Sequence, residues 1–144
     1  AEKLREELDK VGGYLISAHP FRRLFDPVTA MRTGESFEMN PEEAAANMPV
    51  FKIAHTLEIA NGANTPRENE FAAEVARILG VSGTGGSDAH SNSGLGYFAT
   101  GFKEAIESPD QLLEALHAGE FTAVQQDSAN KFSCFNPPYD ESNY

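Results

Sequence analysis

The sequence predicts an α/β fold with mainly parallel strands, and three observations lead to this prediction. Short apolar runs that suit buried strands alternate along the chain with segments of helical periodicity. Three helix starts share one pattern, in which a capping side chain is followed by proline and, two residues further, by Glu or Gln. The 144 residues suffice for one domain with a hydrophobic core. Strands separated by helices in this way are typical of a parallel sheet.

The first forty residues contain one predicted helix and one predicted strand. Residues 2–11 place Leu4, Leu8 and Val11 at helical spacing, and the following glycine pair ends the helix. Residues 14–18 form a short apolar run that Pro20 terminates, which indicates a buried strand. Residues 20–40 show no sustained period, and we therefore expect a long loop, a type of segment that is often functional.

The remainder of the chain alternates strands and capped helices. The helix starts are Asn40-Pro41, Thr65-Pro66 and Ser108-Pro109. The first opens a short alanine-rich turn, and the other two open helices that end at Gly80 and Gly119. Strands are predicted at 56–60, 81–87 and 121–124, and residues 126–144 are expected to form an extended or partly disordered tail.

Composition narrows the possible functions. The net charge of −11 opposes non-specific binding to nucleic acid and to anionic membranes, although it does not exclude a small phosphorylated substrate. The single Cys134 excludes an intramolecular disulfide and fits a reducing compartment. No apolar run approaches the length of a membrane span, and no signal peptide is visible. We therefore expect a soluble, cytoplasmic protein that does not act on membranes.

A candidate metal site lies where two predicted strands end. Asp88 and His90 are two residues apart after a glycine-rich run, so their side chains leave an extended strand on one face. His19 ends the earlier apolar run. Parallel strands that finish side by side would bring these three groups to one sheet edge, where α/β proteins build their sites. Mixed imidazole and carboxylate ligands suit zinc, manganese or iron.

Four further residues could serve this site. Arg22 and Arg23 follow His19 directly, and a guanidinium fork suits a phosphate, although two solvated loop arginines explain the pattern equally well. Ser91 lies in the loop after the presumed ligands and could touch substrate, although a flexible loop explains this residue equally well. Glu58 could orient a metal-binding residue by a hydrogen bond without contacting the metal itself, or it could form a cap or an ion pair. His55 and His117 lie away from the predicted strand ends, and we expect neither to be functional.

Together these motifs resemble the later motifs of the PHP (polymerase and histidinol phosphatase) family of metal-dependent phosphoesterases. The matching segments are Ala18–Arg22, Leu57–Gly62, Gly86–Ser91 and the run from Ser108 to Phe121. The resemblance covers roughly residues 4–125. It implies the C-terminal part of a distorted seven-stranded (β/α) barrel with two or three metal ions at its strand ends. It also implies that His19, Asp88 and His90 are metal ligands, with Asp88 and His90 catalytic, and that phosphate esters are hydrolysed by a metal-activated water.

The sequence also departs from the family pattern. PHP proteins begin with a strand that ends in His-x-His, and this chain contains no such motif. We therefore expect residues 1–125 to be the C-terminal part of a PHP domain that needs its N-terminal half, or a second copy of itself, for a full metal cluster. The expected substrate is a phosphorylated small molecule or a nucleotide. An isolated chain of this kind should have little activity alone.

Two other functions remain open from the sequence. Another metal-dependent hydrolase of the amidohydrolase type would also place His and Asp at strand ends, because fold alone does not determine the reaction. A non-catalytic interaction or scaffold module would account for the absence of His-x-His.

Overall fold

A computed structural model describes residues 2–92 and 94–138, and its strands form two sheets of three. The first sheet has the order β1 (Ile16–Ser17), β2 (Thr56–Asn61) and β3 (Thr84–Gly86). Both pairings are parallel, with Ile16 opposite Thr56 and Glu58 opposite Thr84. Because the strands run in one direction, their carboxyl ends lie on the same side of the sheet.

The second sheet is antiparallel and has the order β4 (Phe98–Phe102), β5 (Phe121–Gln126) and β6 (Phe132–Cys134). Phe98 pairs with Gln125, and Val124 pairs with Cys134. Asp127 organises the turn between β5 and β6, because its carboxylate accepts from the backbone N–H groups of residues 129 and 131. β6 is an exposed outer strand.

The part of the chain that the structure describes also contains five α-helices, of which the first precedes β1: α1 (Glu2–Lys10), α2 (Pro27–Thr33), α3 (Pro41–Asn47), α4 (Pro66–Leu79) and α5 (Pro109–His117). A short 3-10 helix covers Pro49–Lys52. The three helix starts predicted from the sequence are confirmed, and each has proline at its beginning and a cap whose side chain accepts a backbone hydrogen bond. α3 and α4 carry full capping boxes.

The core lies between α4 and the parallel sheet. Leu57 and Ala60 of β2 are buried against the face of α4 that presents Phe71 and Val75. Phe21, two residues after the predicted ligand His19, is fully buried, and its ring lies 4.7 Å from that of Phe71 in an edge-to-face arrangement. This anchor fixes the loop after β1, and therefore the position of the residues around it.

The predicted barrel is wrong. The described residues contain a three-stranded parallel sheet and a separate three-stranded antiparallel sheet, rather than part of a seven-stranded (β/α) barrel. The parallel sheet ends at β3. There the hydroxyl of Thr100 in β4 donates a hydrogen bond to Gly85 O and accepts one from Gly85 N. A side chain therefore occupies backbone groups that a further strand would use. The expected parallel pairing of β1, β2 and β3 is present.

One local prediction also needs correction. The expected loop at residues 20–40 contains α2, which Asp26 caps by accepting from the backbone N–H of Val28 and which ends at Gly34 with φ 76°. In the segment expected to be an extended or partly disordered tail, residues Phe132–Cys134 form the extended strand β6, and residues 139–144 lie outside the described residues. Over the described ranges, none of the helices has the length and apolar character to cross a lipid bilayer.

Candidate functional site

The residues predicted for the site flank the carboxyl ends of the parallel strands. His19 follows β1 after a single intervening residue, Glu58 lies in β2, and Asp88 and His90 follow β3. The parallel pairing places these three strand ends at one edge. The loops that leave this edge therefore carry the candidate chemistry, and the strands beneath them fix where the loops start.

Glu58 ties the three strand ends together. Its Oε2 accepts from the backbone N–H of His19 at 2.9 Å and from Asn61 Nδ2 at 2.9 Å. On the β3 side, a methyl group added to Gly86 would lie 2.5 Å from Glu58 Oε1, so glycine makes room for the carboxylate. Glu58 thus connects the backbone of His19 with the side chain of Asn61, and the orienting role predicted for it toward a metal ligand stays a prediction.

Three of the predicted site residues have left-handed backbone conformations. His19 has φ 30°, Arg23 has φ 62° and Asp88 has φ 46°, and none of them is a glycine. Such conformations are unfavourable for L-residues and persist where surrounding contacts impose them. At His19 the contacts are the hydrogen bond to Glu58 and the bond from Arg22 N to His19 O at 3.1 Å.

Asp88 forms an ion pair with Arg22. Arg22 Nη1 donates to Asp88 Oδ2, and the two side chains are 27% and 21% exposed. The pair joins the loop after β1 to the loop after β3. Arg22 therefore lies beside the predicted ligand Asp88. This position is compatible with a guanidinium that binds a phosphate there, although in this structure the partner of Arg22 is the Asp88 carboxylate.

His90 lies next to Asp88 but faces solvent. Its Nδ1 lies 2.8 Å from Asp88 O and 4.0 Å from Asp88 Oδ1, and its side chain is 78% exposed. Because a carbonyl oxygen can only accept, Nδ1 is the donor in this hydrogen bond, and the neutral form of the imidazole then has its lone pair on Nε2. An imidazole held in this tautomer by a backbone carbonyl is suited to bind a metal through Nε2.

Arg23 and Ser91 differ in how firmly they are placed. Arg23 has φ 62°, and its backbone N–H donates to Oε1 of the buried Glu68 at 2.5 Å. This bond attaches the loop after β1 to the start of α4. Ser91 lies in an exposed bend after His90. The roles predicted for both in binding substrate stay predictions.

The described residues do not assemble a complete metal centre. Within 2–92 and 94–138, no three His, Cys, Asp or Glu side chains lie in an arrangement that could hold a metal ion. The side chains of Asp88 and His90, two potential metal ligands, lie close together. Asp88 is paired with Arg22, however, and His19 does not form a three-ligand group with Asp88 and His90. The residues present therefore do not fit a full metal cluster by themselves.

A buried amide network beside the strand ends was not predicted. Asn69 Oδ1 accepts from the backbone N–H of Asn61 at 3.1 Å, and Asn69 Nδ2 donates to Asn61 O at 3.0 Å. Asn64 Nδ2 donates to the same Asn69 Oδ1 at 3.1 Å. The sequence signal was the Asn-Gly turn after β2, which identifies a turn but not the partner on α4.

The two remaining histidines lie at the start of β2 and the end of α5. His55 Nδ1 accepts from the backbone N–H of Leu15 at 2.9 Å, and its ring stacks on Tyr14 at 4.6 Å. Burial, and next the positive charge of Arg5, lower the pKa of His55. His117 meets the same rings edge-on. These contacts give His55 and His117 a packing role.

Comparison with known proteins connects the chain with one family. Residues 66–121, from α4 to the start of β5, match the model of the family described as PHP-associated. This match confirms the resemblance to PHP proteins and is consistent with a C-terminal portion of a PHP family protein. Comparison with curated proteins gave no match, and comparison with solved structures gave none either.

Proposed function

We propose that this chain serves the hydrolysis of phosphate esters as the C-terminal portion of a PHP-type metal-dependent phosphoesterase. The observation that supports the proposal most is the meeting of Asp88, His90 and Arg22 at the carboxyl edge of a parallel sheet. A carboxylate, an imidazole with a free Nε2 and a guanidinium are groups that bind metals and phosphates. The match over residues 66–121 supports the family relationship.

In this proposal the chain supplies part of the site. Asp88 and His90 are two of the metal-binding groups, for zinc, manganese or iron, and the remaining ligands come from the N-terminal half of the domain or from a second copy of the chain. Among the described strands β1 pairs only with β2, so its other edge is the place where we expect that contribution to pair. Because the described residues do not complete a cluster, the proposal assigns the reaction to the assembled protein.

Arg22 has a specific task in the proposed site. It donates to Asp88 through Nη1, and a guanidinium has five N–H donors, so it can bind a carboxylate and a phosphate oxygen together. Arg22 would thus hold the phosphate of the substrate at a defined distance from Asp88. Arg23 and Ser91 would contact the same substrate from the flanking loops.

Metal titration by calorimetry tests the contribution of Asp88 and His90. We expect the chain to bind one Mn²⁺ or Zn²⁺ weakly, and Asp88→Ala or His90→Ala to weaken this binding at least tenfold. Asp110→Ala is the matched control, since Asp110 is an exposed carboxylate in the first turn of α5 and should leave binding unchanged. Equal binding by all three variants would contradict the assignment of these ligands.

An assay with an aryl phosphate and the same metals tests the reaction. We expect the isolated chain to have little or no turnover and the longer parent protein to be active, with Asp88→Ala abolishing that activity. Metal-dependent turnover by the isolated chain that Asp88→Ala removes would show that the chain completes the site by itself, and the partner part of the proposal would fail.

One observation favours a non-catalytic alternative. The described residues lack a group of three potential ligands, and Asp88 is already neutralised by Arg22. A chain that uses this ion pair only to hold its loops together would be an interaction module. In that case no metal would bind in the titration, and the parent protein would have no phosphoesterase activity.

A further inference from the structure

A cavity of about 240 Å³ lies between the first half of α4 and the antiparallel sheet. The rings of Tyr97, Phe98 and Phe135 line it, together with Glu70 of α4. Sites for drug-sized ligands have roughly 300–1,000 Å³, so this cavity suits one small group rather than a large molecule. Its walls come from segments distant in sequence, so only the folded chain contains it.

Glu70 supplies the charge in this cavity. Among the described residues that line it, only Glu70 has a charged side chain. Glu70 is half-buried, and its carboxylate has no hydrogen-bond or ion-pair partner in the described part of the chain. Arg67, three residues earlier in α4, lies outside the cavity, with its guanidinium carbon 4.4 Å from the centroid of the Phe25 ring. A half-buried carboxylate without a partner favours a cation beside it.

The aromatic side chains favour the same sign of charge. The Phe98 ring lies between the other two, with its centroid 4.8 Å from that of Tyr97 and 5.3 Å from that of Phe135. Tyr97 is held in place by its hydroxyl, which accepts from Gln125 Nε2 at 2.5 Å. The faces of aromatic rings are negative and attract cations. Since phenylalanine rings offer no strong acceptor for N–H groups, a cation whose nitrogen carries methyl groups loses least on leaving water.

We propose that this cavity binds the methylated ammonium group of a small organic cation, with Glu70 as its counter-ion and the three rings around it. Aromatic side chains are the surroundings in which proteins typically hold such groups. The net charge of −11 also attracts cations to the whole surface, so the test has to separate Glu70 from that general effect. Neither Asp88 nor Arg22 lines the cavity, so the proposal is independent of the proposed phosphoesterase activity.

Three small probes test the selection of charge and of methyl groups in the wild-type chain. Chemical-shift titration compares choline with its neutral isostere 3,3-dimethylbutan-1-ol and with ethanolamine, a primary ammonium. We expect choline to bind about tenfold more tightly than the neutral alcohol, because only choline interacts with the ring faces and the carboxylate through its charge. Ethanolamine should also bind more weakly than choline, since its three N–H groups lose water and meet a single carboxylate. The shifts should be centred on Tyr97, Phe98 and Phe135.

Variants separate the carboxylate from the general negative charge of the chain. Glu70→Gln keeps the size of the side chain and removes its charge, so it should weaken choline binding at least fivefold and leave binding of the neutral alcohol unchanged. Glu114→Gln is the matched control, because Glu114 is an exposed glutamate of α5 outside the cavity. It removes the same charge and should leave choline binding unchanged.

A second pair of variants tests the rings. Phe135→Leu keeps an apolar side chain but removes the aromatic face, so it should weaken choline binding about threefold. Phe132→Leu is its control, because Phe132 lies on the same outer strand, is 53% exposed and does not line the cavity.

Flotation with phosphatidylcholine vesicles distinguishes two sources of the ammonium group. If the natural ligand is a free molecule, the chain binds choline and does not float with the vesicles. If the ligand is a lipid headgroup, the chain floats, and both choline and Glu70→Gln prevent flotation.

Two results would overturn the proposal. One is equal affinity for choline and the neutral alcohol in the wild-type chain, a comparison that needs no variant. The other is choline binding that Glu70→Gln leaves unchanged in a chain shown by circular dichroism to be folded. Absence of phosphatase activity in the parent protein would affect neither result, so failure of the proposed reaction and failure of the cavity assignment are distinguishable.

Discussion

Replacing Glu68 by alanine is expected to destabilise the chain far more than the same change at Glu43. Both glutamates close capping boxes of the same type, at the third position of α4 and α3. Glu43 accepts from Asn40 N at 3.1 Å on an exposed surface. Glu68 is 4% exposed and accepts from Thr65 N at 2.8 Å and, from a loop distant in sequence, from Arg23 N at 2.5 Å. Comparing the two variants therefore measures what the hydrogen bond from Arg23 N and the burial of Glu68 add to the stability of the fold.

The magnitude follows from the bonds that each variant loses. Glu43→Ala removes one exposed capping bond, which costs about 0.5–1 kcal/mol of the free energy of unfolding. Glu68→Ala removes two bonds from backbone N–H groups to a carboxylate, each contributing about 1.5 kcal/mol. The lower end of the usual range applies because Arg23 and Thr65 are exposed enough for water to replace part of each bond. We therefore expect Glu68→Ala to cost about 3 kcal/mol.

Urea denaturation followed by circular dichroism measures both costs. The midpoint should fall slightly for Glu43→Ala and strongly for Glu68→Ala, with a similar dependence on urea in both variants. If the two substitutions cost the same, the bond between Arg23 and Glu68 does not stabilise the fold, and the attachment of the loop after β1 to α4 has to be abandoned.

Two further predictions concern stability. Because burial lowers the pKa of His55 below its ordinary value of 6.5, the free energy of unfolding should be constant above that pH and decrease as the pH falls below it, until His55 is protonated in the folded chain. His55→Asn keeps an acceptor for Leu15 N and should flatten this dependence in urea titrations at several pH values. An unchanged slope in the variant would contradict this prediction. Gly85→Ala should lower the free energy of unfolding by about 2–3 kcal/mol, since the added methyl would lie 2.5 Å from Ala99 O. Gly101→Ala would meet a side-chain methyl at 3.1 Å and should lower it by less than about 1 kcal/mol. Equal midpoints of the two variants in thermal unfolding would show that the sheets can separate at Gly85 without loss of stability.

The elements that depend on local chemistry were predictable from the sequence. Helix caps and C-terminal glycines act within a few residues, here at Asn40, Thr65, Ser108 and Gly80. The start and end of α4 were therefore predictable from the local sequence. The parallel pairing of β2 with its neighbours was predicted because α4 separates β2 from β3 as a crossover helix would.

The second sheet could not be predicted in the same way. β4 is a short run with a central glycine, and β6 lies in a polar segment, so neither has a strong strand signal. Their stability comes from pairing with β5, which is a tertiary contact. The β4 and β5 strands also pair antiparallel although α5 lies between them, so a connecting helix does not by itself determine a parallel arrangement.

The candidate site was predictable as residue types but not as contacts. The motif identified Asp88, whereas its ion pair with Arg22 joins groups 66 residues apart and depends on how the two loops fold. The left-handed conformations of His19 and Asp88 had no sequence signal either, because glycine is the residue that normally indicates them. The hydrogen bond between the half-buried Asn64 and the buried Asn69 could not be predicted from a turn residue and a helix residue, because it forms only where α4 packs beside β2.

The outer strand β6 also makes the chain convenient to label. Its last residue, Cys134, is exposed and is the only cysteine in the sequence, and it directly precedes Phe135, whose ring packs edge-on against Phe98 with centroids 5.3 Å apart. A maleimide dye would therefore attach at one known position, and its fluorescence would report on events beside Phe135 without further engineering. The same thiol is exposed on the outermost of the described strands, where air oxidation can join two chains through a disulfide, so solutions of the protein should contain a reductant until the dye is added.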